Sequence, residues 1–286
     1  MHFSVMAEEA LTWLAVRPDG IYLDATAGMG GHTARIAQRL STGIVIANDR
    51  DPQSLELARS NTAEWADKIC LHYGGFGSLG DAIVQAGYEK VDGLLADLGV
   101  SRFQLLAPER GFSFLTDGPL DMRMDQTRGI TAADLVNQTA EEALADLIFQ
   151  LGEERRARKV ARAIVRARPI RSTLHLADVV GRAVPRTGRI HPATRTFMAL
   201  RMAVNDEPGE LDLLLRTGPE LLNRGGRMVV ISFMSLDDRK VKERFRELGR
   251  EGRATVLTKH PIPPSEEETA RNPASRSAKL RALEMN

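Results

Sequence analysis

Short apolar runs and amphipathic helical patterns alternate along the first third of the chain. Residues 6–16 place Ala7, Ala10, Leu11, Leu14 and Ala15 near one face, which predicts a helix. Arg17-Pro18-Asp19-Gly20 reads as a turn into an apolar run, Ile21-Tyr22-Leu23. A glycine cluster follows, then a helical pattern over 33–40. Ile44 to Asp49 predicts a second strand, and 51–62 a helix with Pro52 in its first turn. Residues 68–73 predict a third strand, 79–86 a short helix, and 91–97 a fourth strand ending in Asp97. Residues 100–128 break this rhythm and read as a long loop, which is unusual unless it is functional. Helical patterns follow at 131–150, 153–168, 173–184 and 192–204. Strand and helix then resume. A helix is expected over 209–222, ended by Arg224-Gly225-Gly226, then a buried strand at 228–233 and a charged helix at 237–248. Closing strands are expected at 254–259 and 277–284, separated by a polar, Pro-containing loop at 260–274. The pattern predicts a doubly wound α/β sheet assembled from both ends of the chain (1–104 and 206–286), with a helical insertion over 105–205.

The stretch from Ile21 to Thr33 carries the candidate chemistry. Strand, glycine turn and helix open a doubly wound sheet, and glycine lets the backbone bend sharply and approach a ligand. The helix N-terminus then offers free N–H groups. Gly28 and Gly30 fit the first two places of a dinucleotide fingerprint, but Thr33 stands at the third. No Gly-Lys-Ser/Thr follows, which excludes a phosphate-cradling P-loop. An adenosyl ligand without phosphates, such as S-adenosylmethionine, suits this turn. Asp49 lies at the distance expected of an acid that binds ribose hydroxyls. A buried turn with a capping Asp is the plainer alternative, and the combination of turn and Asp49 favours a cofactor site. Phe76, after the third strand, would stack on an adenine or plug the core. Asp97 falls at the same edge of the sheet.

Net charge is +1 over 286 residues, but it is unevenly spread. Residues 153–205 hold 13 Lys or Arg against three acids, so they carry +10 and the remainder −9. That asymmetry suggests a polyanion partner. Within 153–168, Arg155, Arg158, Arg162 and Arg166 recur every three or four residues, while Ala157, Val160, Ala161 and Ile164 form a packing face. A solvated face is the ordinary reading of such a stripe. The shortage of local acids favours binding to RNA phosphates, which the planar arginine fork suits. The single cysteine, Cys70, excludes an internal disulfide and reads as a buried strand residue. No His or Cys spacing predicts a metal site. No run of 18 apolar residues predicts a membrane span, and the N-terminus has no signal-peptide pattern, so a cytoplasmic protein is expected.

Several ordered motifs go further. They include Gly30-Gly31-His32, Asp49-Arg50-Asp51-Pro52-Gln53, Asp97-Leu98-Gly99-Val100-Ser101, Glu109-Arg110-Gly111-Phe112-Ser113-Phe114, Asp117 to Asp125, Gly152-Glu153-Glu154-Arg155, His191 to Phe197, and Ile231-Ser232-Phe233. Together, over nearly the whole chain, they resemble the bacterial ribosomal small-subunit RNA N4-cytidine methyltransferases (the RsmH, or MraW, family). The resemblance implies a Rossmann-like class I methyltransferase sheet. It also implies methyl transfer from S-adenosylmethionine to the exocyclic N4 of a cytidine in the decoding region. The partner would be small-subunit ribosomal RNA or the assembled subunit. By position, the family's cofactor residues fall on Gly30, Gly31, His32, Asp49, Phe76, Asp97 and Gln104; His32 and Gln104 come from the resemblance alone. Met234 stands where the family usually has His.

Asp97 is the candidate acceptor for the amino proton, although the prolines and aromatic of amino-directed DNA methyltransferases are missing after it. Holding the cofactor is its other reading. Methylation at C5 would need an activated cysteine, and Cys70 lacks the context for it. Phe112, Phe114, Met122 and Arg123 are candidate walls for a base drawn from its stack. Two other functions stay open. One is a non-catalytic RNA-binding or ribosome-assembly factor on the same fold. The other is a small-molecule methyltransferase, which leaves the basic segment unexplained.

Overall fold

A computed structural model describes residues 4–186 and 190–286. Seven strands form one sheet: β1 (Ile21–Asp24), β2 (Ile44–Asp49), β3 (Ile69–Tyr73), β4 (Val91–Asp97), β5 (Leu222–Ser232), β6 (Ala254–Val256) and β7 (Lys279–Met285). Their order is β3-β2-β1-β4-β5-β7-β6. β1 to β5 pair in parallel, and β7 enters antiparallel between β5 and β6. This is a Rossmann-like doubly wound sheet, with the strand order reversing between β1 and β4. The central strands read as near-continuous apolar runs because helices cover both faces. Leu23, Ile46, Leu94 and Val230 face one core, with Phe245 and Leu214. Tyr22, Val45, Leu95 and Val229 face the other, with Leu14 and Ile36. No helix among the described residues is long and apolar enough to cross a membrane.

The chain divides into two compact units, Met1–Gly99 with Pro208–Asn286, and Val100–Glu207. The first holds the sheet. The second is helical, with its own core around Leu144, Ile148, Val160, Ile164, Val180 and Leu200. Gln104 belongs to the second unit, in the helix Arg102–Leu106.

Several elements differ from the sequence pattern, each for a local reason. Residues 131–150 form two helices, Ala132–Gln138 and Glu141–Gly152. The basic helix spans Ala157–Ala167, because Glu153 takes a left-handed conformation that ends its predecessor. Arg155 therefore lies in the turn before it. The helix expected to 222 ends at Thr217, and Arg224-Gly225-Gly226 lies inside β5. There the pairing with β4 jumps from Val91↔Leu222 to Gly93↔Arg227, a bulge that Gly225 accommodates at φ 76°. β6 is short, and the loop expected at 260–274 contains a helix, Glu266–Arg271. Ser265 caps it by accepting from the Glu268 N–H at 3.0 Å, and three glutamates fill its first turn. Cys70 lies in β3 but is exposed, correcting the buried reading; β3 is an edge strand that leaves one side uncovered.

Candidate active site

Three neighbouring strands of the first unit end in aspartate: β1 at Asp24, β2 at Asp49 and β4 at Asp97. Asp24 pairs level with Ala47 and Leu95, two residues short of the other two acids. It is therefore sealed beneath them, at 0% exposure. The Thr33 hydroxyl donates to it at 2.7 Å and the Thr26 N–H at 3.2 Å. Burial raises its pKa, against the opposing pull of His32 and these donors. Asp24 thus ties the end of β1 to the helix Gly31–Ala37 and sets the path of the turn between them.

That turn needs its glycines. Gly28 and Gly30 have φ of 53° and 86°. A Cβ on Gly30 would also lie 2.7 Å from Thr62 Cγ2 and 3.2 Å from Ala58 Cα. Gly30 is the N-cap and brings no side chain to it, so no side-chain cap occupies the first helical N–H groups. Asp49 closes the turn from β2. Its Oδ2 accepts from the Gly28 N–H at 2.7 Å and its Oδ1 from the Asp51 N–H at 2.8 Å. Burial pushes its carboxyl up to about 6, opposed by those two N–H groups. Each oxygen retains a lone pair for a further donor.

Asp97 is held through its main chain, the N–H donating to Thr26 Oγ1 at 2.7 Å. Its Oδ2 lies 3.5 Å from His32 Nε2. Neither His32 Nε2 nor Asp97 Oδ1 has a hydrogen-bond partner, although both are buried. Orphaned buried polar atoms are rare in native proteins, so these two are acceptor and donor capacity that a bound group can use. Burial alone would lower the His32 pKa, but Asp97, Asp24 and Glu268 together raise it. Phe76 begins a short turn after β3, half-buried, and its N–H donates to Glu210 Oε2 at 3.0 Å.

Gly30, Gly31, His32, Asp49 and Asp97 therefore meet at one edge of the sheet, with Phe76 following the next strand. The sequence pattern assigned no role of their own to Asp24, Thr26 and Asn48, which arrange them. Asn48 donates to the Ala25 and Gly74 carbonyls at 3.2 and 3.0 Å, joining the loops after β1 and β3. An amide inside an otherwise apolar run was the available signal. Met234 precedes the helix Ser235–Arg250 and its side chain makes no cap.

In the second unit, Gln104 is buried and accepts from the Ser101 N–H at 2.9 Å, closing a capping box. Phe112 is 6% exposed and Met122 0% exposed, so both serve this unit's core and neither stands as an open wall. Phe114 is half-buried, with its ring centroid 4.9 Å from His191 and 4.7 Å from Phe197. Arg123 is held by both oxygens of Asp121, at 2.8 and 2.9 Å. The long segment is ordered by Arg110, which is fully buried and donates to the Arg123 and Met124 carbonyls at 3.0 and 2.8 Å. Arg155, Arg158, Arg162 and Arg166 are all exposed. Arg162 pairs with Glu141 of the preceding helix at 3.3 Å, an acid from outside the basic segment. The other three make no ion pair among the described residues.

The chain is 73% identical over 285 residues to the ribosomal RNA small subunit methyltransferase H of Solibacter usitatus, covering 100% of each. It is 52% identical over 293 residues to the protein of that name from Acidobacterium capsulatum, covering 99% of this chain and 98% of the relative. Among solved structures, an rRNA methylase from Streptococcus thermophilus aligns with a TM-score of 0.47 at 13% identity, over 98% of this chain and 94% of the other. The MraW methylase family matches residues 1–286, and with these identities the chain belongs to it.

Proposed function

We propose that the protein transfers a methyl group from S-adenosylmethionine to the exocyclic N4 of a cytidine in the decoding region of small-subunit (16S) ribosomal RNA. It is a methyltransferase of small-subunit ribosomal RNA, as its relatives are named; the atom and the region are the finer reading. The observation that carries this reading is Asp97, whose buried Oδ1 lacks a partner at the sheet edge where the glycine turn and Asp49 converge.

The residues fit the cofactor. The turn at Gly30 and Gly31 lets an adenosyl group approach the backbone, and Asp49 keeps acceptor capacity for ribose hydroxyls. Phe76, following β3, offers a ring for the adenine, and Gln104 is a cofactor candidate through the family resemblance alone. When bound, S-adenosylmethionine supplies a methyl group that is already electrophilic, so alignment provides much of the rate. The amino nitrogen of cytosine is a weak nucleophile because its lone pair is delocalised into the ring. Asp97 Oδ1 accepts a hydrogen bond from that amino group, turns the lone pair toward the methyl, and takes the proton as positive charge develops. His32, whose ring stands against Oδ2, leaves Oδ1 as the oxygen for substrate.

The second unit recognises RNA in this reading. Arg155, Arg158 and Arg166 are available for phosphates, and Arg162 can exchange an exposed pair that is worth little. Arg123, oriented by Asp121, and Phe114 are the remaining candidates for holding a displaced base, with Phe112 supporting them from the core. The partner is small-subunit ribosomal RNA or the assembled subunit, in the cytoplasm.

The test is nucleoside mass spectrometry. Unmodified small subunits are incubated with the protein and isotope-labelled S-adenosylmethionine, then digested. Labelled N4-methylcytidine is expected. Label in any other nucleoside overturns the N4 reading, and binding of RNA and cofactor without label favours a non-catalytic assembly factor.

A further inference from the structure

The helix Ser235–Arg250 belongs to the sheet-bearing unit and buries Val241, Phe245 and Leu248. Its cations fall into two groups. Lys240 and Arg244 are engaged: Lys240 pairs with Asp212 at 2.7 Å, and Arg244 pairs with Glu247 at 2.6 Å and donates to the Leu215 carbonyl at 3.2 Å. Arg239, Lys242, Arg246 and Arg250 are different. They are spaced three, four and four residues apart, so they share one side of the helix. Arg239, Arg246 and Arg250 are exposed and Lys242 is half-buried. None of the four makes an ion pair among the described residues.

Neither the helix dipole nor a neutral solvated surface accounts for this stripe. Attraction to the carboxyl end of the dipole covers Arg250 in the last turn. It does not cover Arg239, which stands in the second turn, nearer the positive end. Interspersed acids would neutralise the face, but the acids are mostly committed elsewhere. Asp238 holds Arg281 of β7 at 2.6 Å and Glu247 holds Arg244. Glu243 borders the stripe, four residues after Arg239 and three before Arg246, yet lies within ion-pair distance of neither. Like charges spaced in this way repel one another along a helix. A fifth cation extends the row, since the Lys279 ammonium of β7 donates to Ser235 Oγ at 3.2 Å.

We propose that this stripe is a second RNA-backbone contact, carried by the sheet-bearing unit itself and separate from the arginines of the helical unit. The proposal rests on the reading above that the substrate is RNA. From Arg239 to Arg250 the stripe runs about 16 Å along the helix, enough to meet several successive phosphates. Three of its four members are arginines, whose planar forks bridge phosphate oxygens. A contact on each unit means that the enzyme grips its substrate at two places, only one of which the basic segment of the sequence reveals.

The experiment uses the full chain, unmodified small ribosomal subunits as the probe, and a salt titration of binding. Arg239→Glu with Arg246→Glu is expected to weaken binding at least tenfold near 0.1 M salt and to reduce the slope of log K against log salt by about 2. Affinity for S-adenosylmethionine is expected to stay unchanged. Arg239→Gln with Arg246→Gln is expected to show the same loss of slope with a smaller loss of affinity, and it decides the matter if the Glu pair impairs folding. Unchanged affinity and slope in this pair, while Arg158→Glu with Arg166→Glu weakens binding, overturns the second contact alone. Unchanged binding in both pairs overturns the RNA reading with it.

Discussion

The two units place their functional groups by opposite means. In the sheet-bearing unit the candidate groups are carboxylates at the ends of adjacent strands, and the hydrogen-bonded register of those strands fixes them. Asp24 lies one layer below Asp49 and Asp97 because the pairing makes it so. Burial then tunes the chemistry: it raises Asp24 and Asp49 and leaves the Asp97 Oδ1 without a partner. In the helical unit the candidate groups are exposed arginines on a helix whose other side is core. Apart from the exposed pair of Arg162 with Glu141, no ion pair among the described residues positions their guanidinium groups, and for a phosphate backbone none needs to. Its buried cation, Arg110, has the complementary task of ordering a segment without regular structure. Sites that move a proton need depth and fixed geometry, whereas sites that neutralise a polyanion need density of charge.

The contrast is tested most severely at Asp97. Asp97→Asn keeps the shape but removes the proton acceptor. Turnover is expected to fall by roughly 10²–10⁴, with S-adenosylmethionine affinity near that of the parent, measured by labelled-methyl transfer and calorimetry. Full turnover in this variant would remove the proton-acceptor role and leave Asp97 as a cofactor residue. The helical unit has its counterpart in Arg110→Met. That change leaves the Arg123 and Met124 carbonyls without their buried donor, at a cost of about 3 kcal/mol in stability. Thermal or denaturant unfolding measures it, and a loss below about 0.5 kcal/mol would mean the segment is ordered by its apolar contacts instead.

The same contrast explains how much could be read from the residues. The sheet was legible because buried parallel strands are short apolar runs, and Asp49 and Asp97 because each interrupts such a run at its end. The Ala157–Ala167 helix was legible because alanine, valine and isoleucine alternate with arginine at helical spacing. What escaped depended on contacts between distant residues. Asn48 joins loops that the sequence separates, and Phe112 is core only because the helices of its unit close over it. The helix Glu266–Arg271 was hidden by its polarity and by the prolines on either side of it, although Ser265 and Glu268 spelled its cap. Cys70 looked buried because an apolar run does not state whether its strand lies at the edge.

A smaller effect is expected at the exposed arginines. Arg158→Glu with Arg166→Glu removes two phosphate contacts from a face that retains Arg155 and Arg162. Binding to unmodified small subunits is expected to weaken about tenfold or more, with the salt slope reduced by about 2. Filter binding at several salt concentrations measures both. A weakened affinity with an unchanged slope would show that these residues support the fold of the unit and do not neutralise phosphates.

The smallest effect expected is a pH dependence that belongs to the buried carboxylates. Burial disfavours the charge of Asp49 and pushes its pKa up to about 6 in the free protein. Its folded pKa lies above the ordinary aspartate value of 3.8. Between those two values the folded state holds a proton that the unfolded chain has lost, so this residue's contribution to stability declines as pH rises from about 4 to 6. Ribose hydroxyls donate to the ionised carboxylate and favour it. Cofactor binding should therefore strengthen as pH rises through about 6, by up to tenfold per pH unit below that point, and level off above it. Calorimetry with S-adenosylmethionine from pH 5 to 8 tests this, and Asp49→Asn, which cannot ionise, should bind more weakly with a flat profile. A parent profile that is equally flat would mean that Asp49 is already ionised in the free protein, or that it braces the Gly28 turn without touching the ribose. Melting temperatures across the same pH range separate those two cases. A decline in stability from pH 4 to 6 in the parent, absent in Asp49→Asn, assigns the titration to this carboxylate and leaves only its contact with the cofactor in question.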